Sequence, residues 1–595
     1  MQSTADDQRP SPRRSPWRQP RRWGAFVLAT VGGCALFAAL PTSRPDVLEG
    51  AVIGHWTSVL PPLLTVWVAL CFHSLAGALI IGFVSGCLLA FWPDVWIAVP
   101  LGAREFIWVN LTEQFNLYIF GFLFALVGMI HVTYRAGGIH GLIHWMARVA
   151  RGPRSTKVAT ALAGLAIFFD DYSNTIVVGS TMRRLTDRWK ISREKLAYLV
   201  DSTTAPVAGL ALLSTWIAFE VFLFGDAAAR IGIPQGGYGI FLAILPFRFY
   251  CWGTLIFVFM SSALGRDYGP MYRAECRAAL EGKVLADGAH PLASGGDVEA
   301  EPLPGKPQRG WNALIPLAVV VLGTLASIVG LGRHKLLVAG GDFSFWSLAD
   351  WRDAFGMVTN PDVTPGGAMK VLFWASVAGG VTAVWLACGQ RILTLRQAGR
   401  AYLRAIPTLW MAFFILIMAW GMSKICTDGV HTDTYLVSLL GDRMPLVLLP
   451  LLVFAVASGM SFATGTSFGT MAMLIPIIFT LAHALGAYAT DGHLIFWLCA
   501  AAVLDGSILG DHCSPISDTT VLSSISSGCD HIDHVATQIP YALTVLLLAG
   551  VLGYGAVALG MSGWLFFVLQ PVAVALILLI AGRRVPVPVG PLDHS

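Results

Sequence analysis

The sequence predicts an all-α polytopic membrane protein, with about twelve transmembrane helices and two re-entrant hairpins laid out as inverted repeats with broken helices. Three observations predict it. Of 595 residues, 55% are hydrophobic and only 12% charged, about half the ~25% that solvates an ordinary soluble surface. Apolar runs long enough to cross ~30 Å of hydrocarbon, about 20 residues each, recur along the chain. The basic residues fall mainly in alternate loops, as cytoplasmic loops require. The same figures exclude a set of soluble domains, a disordered chain and a nucleic-acid binder, since 39 Lys+Arg against 35 Asp+Glu leaves only +4. The ten cysteines stand singly, several inside apolar runs (Cys34, Cys71, Cys87, Cys251, Cys388, Cys499), with no CxxC. A secreted disulfide scaffold is therefore excluded as well.

In chain order, residues 1–22 carry six arginines and four prolines and read as a disordered basic cytoplasmic arm. Residues 23–40 form an extra N-terminal span, or alternatively the h-region of a signal peptide. The first repeat, 55–265, holds spans near 59–72, 74–91, 115–134, 195–225 and 238–265, with a polar-centred apolar stretch at 158–182. Residues 266–310, rich in Gly, Pro and charge, read as a cytoplasmic linker. The second repeat, 311–560, holds spans near 311–332, 369–388, 406–424, 493–527 and 537–560, with a matching stretch at 445–487. A last span at 562–582 and a short tail complete 562–595.

Charge placement orients these elements. Of the 39 basic residues, 29 lie in the arm, 135–157, 183–195, 266–310, 389–405 and 583–584. This bias puts both termini in the cytoplasm. It also shapes the stretch 158–182, which has Arg148, Arg151, Arg154 and Lys157 on one flank and Arg183, Arg184, Arg188 and Lys190 on the other. A single crossing would put one cluster outside; a hairpin turning at Asp170–Thr175 keeps both inside, with its irregular backbone satisfied by protein or a watery cavity. With that hairpin, the two halves enter the membrane from opposite sides, the inverted-repeat pattern of secondary transporters. Each half then has a helix interrupted by a polar, Pro-containing segment: Asp201-Ser202-Thr203-Thr204-Ala205-Pro206 and Asp511-His512-Cys513-Ser514-Pro515. Proline removes a donor and disfavours helix before it, so both helices should unwind there.

The apolar segments contain Asp170, Asp171, Asp201, Glu220, Asp505, Asp511 and Asp518. Each such group costs about 2.5–3.5 kcal/mol at a helix centre. The adjacent Asp170 and Asp171 are harder still to charge together. Neutral oxygen donors stand near them: Ser173, Asn174, Thr175, Ser202, Thr203, Thr204, Thr464, Thr466, Ser467, Thr470, Ser514 and Ser517. Hard oxygens with a few carboxylates suit a hard cation and not a transition metal. A carboxylate that takes either a cation or a proton couples their movements without nucleotide or cofactor.

The run Ile167-Phe168-Phe169-Asp170-Asp171-Tyr172-Ser173-Asn174-Thr175, continuing through Gly179, Met182-Arg183 and Ile191-Ser192-Arg193-Glu194-Lys195 to Val200-Asp201-Ser202-Thr203 and Ala205-Pro206-Val207-Ala208, resembles the NhaC family of sodium/proton antiporters. So do Ser214-Thr215-Trp216-Ile217, Pro246-Phe247-Arg248-Phe249-Tyr250, Gly265-Arg266-Asp267-Tyr268-Gly269-Pro270-Met271 and Gly510-Asp511-His512-Cys513-Ser514-Pro515-Ile516-Ser517-Asp518-Thr519-Thr520. The resemblance spans about 55–560. It implies a cation/proton antiporter of the bacterial inner membrane, or a relative exchanging carboxylates such as malate and lactate, or amino acids. It further implies a homodimer with elevator-like motion and hairpin tips bearing Ser-Asn-Thr turns. The Asn174 turn fits that pattern; Thr464–Ser467 lacks the Asn.

The reading that follows has Asp170 and Asp171, with Asn174 and Thr175, binding Na+ together with Asp201 or Asp511, and binding displaces a proton. Arg248 stands either at a helix start near the interface or in a cavity, where it would pair with Glu220 or with a substrate anion. Cys529-Asp530-His531-Ile532-Asp533-His534 has metal-ligand types but irregular spacing, and reads as a polar loop. No GxxxxGK[ST] or HExxH occurs, so neither ATP-driven transport nor zinc-dependent hydrolysis has a motif.

Overall fold

The computed structural model describes residues 46–48 and 51–586, apart from 73–74, 113, 149, 292–302, 304, 360–366, 433, 436–437, 439–444 and 490–492. The basic arm 1–22, the span 23–40 and the end of the tail lie outside the described residues.

The protein is helical and membrane-spanning. Two short strands, β1 (Asp46–Leu48) and β2 (Ala51–Ile53), pair antiparallel ahead of the first helices. Then come α1 (Leu60–Phe72), α2 (Leu75–Ala90), α3 (Val95–Gly102), α4 (Gln114–Arg135) and α5 (Gly138–Ala147). A helix pair follows, α6 (Pro153–Ala166) and α7 (Asp171–Arg188), joined by four residues. Pro153 opens α6, where its missing N–H costs nothing. The next span is in pieces: α8 (Arg193–Asp201), the four-residue α9 (Ala205–Ala208) and α10 (Thr215–Arg230). Next, α11 (Gly237–Ile244) and α12 (Phe249–Leu264) meet at a 48° bend, and α13 (Gly269–Glu281) lies in the linker.

The second half runs α14 (Trp311–Val338), α15 (Leu348–Thr359), α16 (Gly367–Gly389), α17 (Leu395–Leu403) and α18 (Ala405–Lys424). Another helix pair, α19 (Leu449–Thr464) and α20 (Ser467–Ala484), turns over only two residues. It is followed by α21 (Leu494–Cys513), α22 (Asp518–Ser527), α23 (His531–Leu548) and α24 (Gly563–Ile580).

Among the described residues, eight helices are long and apolar enough to cross a membrane, or nine if the bent α11–α12 pair counts as one. The twelve expected spans are not matched one for one: 23–40 lies outside the described residues, and several other apolar runs form helices that are short or interrupted. Those near 59–72 and 74–91 give helices of 13 and 16 residues, and 195–225 is divided in three. The arms of the two helix pairs also differ: α6 has 14 residues, whereas the second pair gives candidate spans Leu446–Thr464 and Ser467–Ala484.

The segments expected to share one side come together. Lys195 Nζ lies 2.8 Å from Asp267 Oδ1 and Lys157 Nζ 3.9 Å from Asp267 Oδ2. Glu275 of α13 takes Lys157 directly and accepts from Ser192 N at 2.9 Å. Strand β3 (Arg266–Asp267) pairs with β4 (Arg583–Arg584). The basic clusters around 157, 195, 266 and 583 thus converge at one end of the bundle.

Candidate functional site: two helix tips and two broken helices

At the first tip, α6 stops at Ala166, and Asp170 adopts extended backbone and caps α7 by accepting from Ser173 N at 2.9 Å. Such a cap satisfies one of the orphan N–H groups of a helix start. One turn into α7, Asn174 Nδ2 donates to Gly164 O and to Thr203 O, both at 2.8 Å. Thr203 belongs to the break between α8 and α9, so this amide fastens the tip to the broken helix. Gly164 permits the approach, since a Cβ there would sit 2.0 Å from Thr203 Oγ1. Thr175 Oγ1 donates to Asp171 O at 2.9 Å and lies 3.2 Å from Thr204 Oγ1. Asn174 Oδ1 is buried without a hydrogen-bond partner.

The second tip repeats this logic with hydroxyls. Gly465, at φ +68°, ends α19, and Thr466 caps α20 by accepting from Gly469 N at 3.4 Å. Thr464 Oγ1 bonds back to Met460 O at 2.9 Å. Ser467 Oγ donates to Asp511 Oδ2 at 3.1 Å, and Ser514 Oγ to Phe462 O at 2.7 Å. Ser461 Oγ donates to Ser507 O. These tie the tip to the break between α21 and α22, where Ser514 and Ser517 are extended.

The two assemblies face each other. Tyr172 OH donates to Asp518 Oδ2, and Ser202 Oγ lies 2.7 Å from His512 Nε2. His512 Nδ1 in turn meets Tyr250 OH at 2.7 Å. Asp171 is buried; its Oδ1 accepts from Tyr172 N at 2.8 Å and its Oδ2 from Trp216 Nε1 at 3.0 Å. Asp511 Oδ1 accepts from Ser517 Oγ at 2.8 Å and Thr519 Oγ1 at 3.2 Å. The charges of Asp170, Asp511 and Asp518 all act on Asp171. Asp201 forms an adjoining group, accepting from Ser523 Oγ at 3.2 Å and Gln538 Nε2 at 2.8 Å, with His534 Nε2 3.9 Å away. Among the described residues, none of Asp171, Asp511 and Asp518 forms an ion pair with Lys or Arg.

Most residues singled out in the sequence therefore meet at one place. Asp505 does not. It lies on α21 against Arg248, accepting from Arg248 Nε at 2.9 Å, Tyr250 N at 2.7 Å and Tyr554 OH at 2.7 Å. Arg248 is fully buried at the start of α12, at the α11–α12 bend, and its Nη1 also donates to Gly209 O at 2.9 Å. Trp216, Tyr172, Ser523, His512 and Gln538 complete the site beyond the residues expected. A lone Gln in the apolar 537–560 run and the Ser-rich 523–527 were the available signals for two of them.

The polar stretch 529–534 works locally. Asp530 caps α23 by accepting from Ile532 N at 2.9 Å and Asp533 N at 3.2 Å. Desolvation opposes its charge, but these amides and His290 N–H outweigh it and hold the Asp530 carboxyl below its ordinary range. Among the described residues no group of three or more His, Cys, Asp or Glu side chains is placed to hold a metal ion.

Residues 207–559 match the Na+/H+ antiporter family. An uncharacterized protein of Haemophilus influenzae is 29% identical over 531 residues, 89% of this chain and 95% of that protein. Shorter matches link it to the Malate-2H(+)/Na(+)-lactate antiporter of Bacillus subtilis, 33% identical over 16% of this chain and 19% of that one. The Arginine/ornithine antiporter ArcD of Halobacterium salinarum is 28% identical over 42% of this chain and 43% of that one. Two solved transporters share the fold at a TM-score of 0.50. Alcanivorax borkumensis YdaH is 16% identical, covering 84% of this chain and 99% of that one. Neisseria gonorrhoeae MtrF is 14% identical, covering 90% and 95%.

Proposed function

The chain belongs to the Na+/H+ antiporter family, and from that premise we propose that it exchanges Na+ for protons at the carboxylates between the two helix tips. The observation that carries this is the missing counter-charge. Asp171, Asp511 and Asp518 meet with hydroxyl, indole and amide donors around them and no fixed Lys or Arg among the described residues. Asp171 and Asp511 are buried and Asp518 is exposed; buried carboxylates without a paired cation are expensive, so the charge of the first two must be met by something that arrives and leaves. A proton neutralises one oxygen; Na+ is a hard cation that takes the carboxylates and the oxygens of Ser467, Ser517 and Thr519 together. The two cannot occupy the site fully at once, and that competition is the coupling.

The rest of the reading follows from this site. The tips of α6–α7 and α19–α20 act as re-entrant hairpins of two inverted halves, and the neutralised site crosses by alternating access with elevator-like motion in a homodimer. The chain sits in the bacterial inner membrane with both termini cytoplasmic. No cofactor enters the cycle.

A second reading, exchange of organic anions or amino acids, draws on the malate/lactate and arginine/ornithine antiporters among the relatives. Against it, the one fully buried guanidinium among the described residues, Arg248, is already bonded to Asp505 and Gly209 O. Purified protein in liposomes with a lumenal pH dye tests both. An external Na+ pulse is expected to alkalinise the lumen with no organic solute present. A signal that appears only with added carboxylate or amino acid would overturn the Na+/H+ reading.

A further inference from the structure

Glu220 on α10 is fully buried, and neither of its carboxylate oxygens has a hydrogen-bond partner. Its one cation is Arg248, whose Nη1 stands 3.9 Å from Glu220 Oε2. That guanidinium is committed elsewhere, through Nε to Asp505 at 2.9 Å and through Nη1 to Gly209 O at 2.9 Å. Asp505 is saturated, with Tyr250 N, Tyr554 OH and Cys251 Sγ adding to Arg248. The charged groups acting on Glu220 are Arg248 and Asp505, with the Cys251 thiol beside them. The neighbours packed on α10 present aromatic rings: Phe468 on Phe219, Phe479 on Phe224 and Trp420 on Phe222. One guanidinium therefore faces two buried carboxylates, and the group is electrically neutral only when one of them holds a proton. Asp505 accepts four donors. Glu220 accepts none.

Resting on the Na+/H+ reading above, we propose that Glu220 is a proton-binding site of the transport cycle, distinct from the carboxylates that take the cation. In the structure as described it is arranged to hold the proton. When Glu220 releases that proton to water on the side the site faces, its charge has one place to turn. A shift of Arg248 by about 1 Å would bring Nη1 to hydrogen-bond distance. That shift draws on the same nitrogen that holds Gly209 O. Gly209 caps α9, the short helix that begins just past Thr203 and Thr204, the residues that contact Asn174 and Thr175 of the first tip. Proton release at Glu220 thus pulls on the broken helix that shapes the cation site. Asp505 provides a second connection, lying on α21 six residues before Asp511.

Two transport modes separate this inference from the reading beneath it. Exchange of labelled for unlabelled Na+ at fixed pH needs only the cation site. Uptake of Na+ driven by an imposed pH gradient needs proton coupling. Glu220→Gln keeps the size of the side chain and removes its charge. In liposomes this variant is expected to retain Na+/Na+ exchange within about twofold while gradient-driven uptake falls about tenfold or more. Glu220→Asp, which keeps a titratable group, is expected to restore part of the coupling with a displaced pH profile. Gradient-driven uptake at wild-type rates in Glu220→Gln would overturn the proposal. So would a parallel loss of both modes in Glu220→Gln and Glu220→Asp, which marks a structural role. Absence of Na+-dependent flux in the wild-type protein would instead sink the Na+/H+ reading.

Discussion

Two clusters of buried carboxylates lie along α21, and they are built oppositely. Around Asp511 the partners are hydroxyls and the other carboxylates, Asp171 and Asp518, with no fixed positive charge among the described residues. Around Asp505 the partners are a guanidinium, an amide and a tyrosine hydroxyl, all donating. In the second arrangement Asp505 has its counter-charge built in. The first is incomplete, and its incompleteness is what lets it serve a mobile ion. Position in the membrane does not separate a carboxylate that the fold neutralises from one that takes the cation; the presence of a hydrogen-bonded counter-charge does.

The sharpest way to break this comparison is to remove one charge from each cluster. Arg248→Met leaves Asp505 buried without its cation, and losing one partner of a buried pair costs about 3–5 kcal/mol. The expected outcome is a large fall in the thermal midpoint of the detergent-solubilised protein, or loss of folded protein altogether. Asp171→Asn and Asp511→Asn remove like charge from a crowded site. They are expected to leave the midpoint unchanged or raised while abolishing Na+-evoked pH change. If Asp511→Asn destabilises as strongly as Arg248→Met, the two clusters do not differ in kind.

The two tips invite a finer comparison, because each approaches its broken helix over a glycine. A Cβ at Gly510 would lie 2.1 Å from the backbone carbon of Ser461 as well as from its Oγ. One at Gly164 would lie 2.0 Å from Thr203 Oγ1 and 2.5 Å from Thr203 Cβ, both side-chain atoms. Overpacking costs about 1–3 kcal/mol where neighbours cannot yield. Both substitutions are expected to lower the thermal midpoint, Gly510→Ala more, since it meets backbone atoms of Ser461 and Phe462 at 2.1 and 2.3 Å whereas Gly164→Ala meets only the Thr203 side chain. Gly164→Ala should act mainly on transport, by lifting Asn174 off Thr203 O and raising the Na+ concentration for half-maximal exchange.

Much of this was legible from residues in sequence order. The breaks at Asp201–Pro206 and Asp511–Pro515 announced themselves through proline and polar side chains within apolar runs, and both fall where expected. The caps at Asp170 and Thr466 follow from the same local chemistry. What was not legible is long-range. Arg248 interrupts 238–265 with a 48° bend, yet hydropathy there reads as one span, and the group that makes its burial tolerable is Asp505, 257 residues away. Asp505 for the same reason grouped with the cation carboxylates in the sequence and separates from them in space. Tyr172 and Asp518, 346 residues apart, have no local pattern that pairs them. Nor does apolar length reveal where a helix breaks or stops short, as in the three pieces of 195–225.

The smallest expected effect lies outside the membrane, at Asp530. It is a carboxylate satisfied wholly by backbone: the N–H groups of Ile532, Asp533 and His290 at 2.9, 3.2 and 2.9 Å. Removing such a cap costs about 0.5–2 kcal/mol, so Asp530→Ala should lower the thermal midpoint slightly and leave Na+/H+ exchange intact. The sign of its pH dependence is fixed by the lowered pKa. The ionised form is favoured in the folded protein, so the contribution is present in full above the ordinary value of 3.8. It fades as pH falls below that value through the folded-state pKa. Wild type and Asp530→Ala should therefore differ at pH 7 and converge in acid, whereas Asp530→Asn, which can still accept from the same amides, should lie between them at pH 7. A difference that grows on acidification would show that the cap stabilises through its neutral form, and would remove Asp530 from the set of carboxylates whose charge is met by the protein itself.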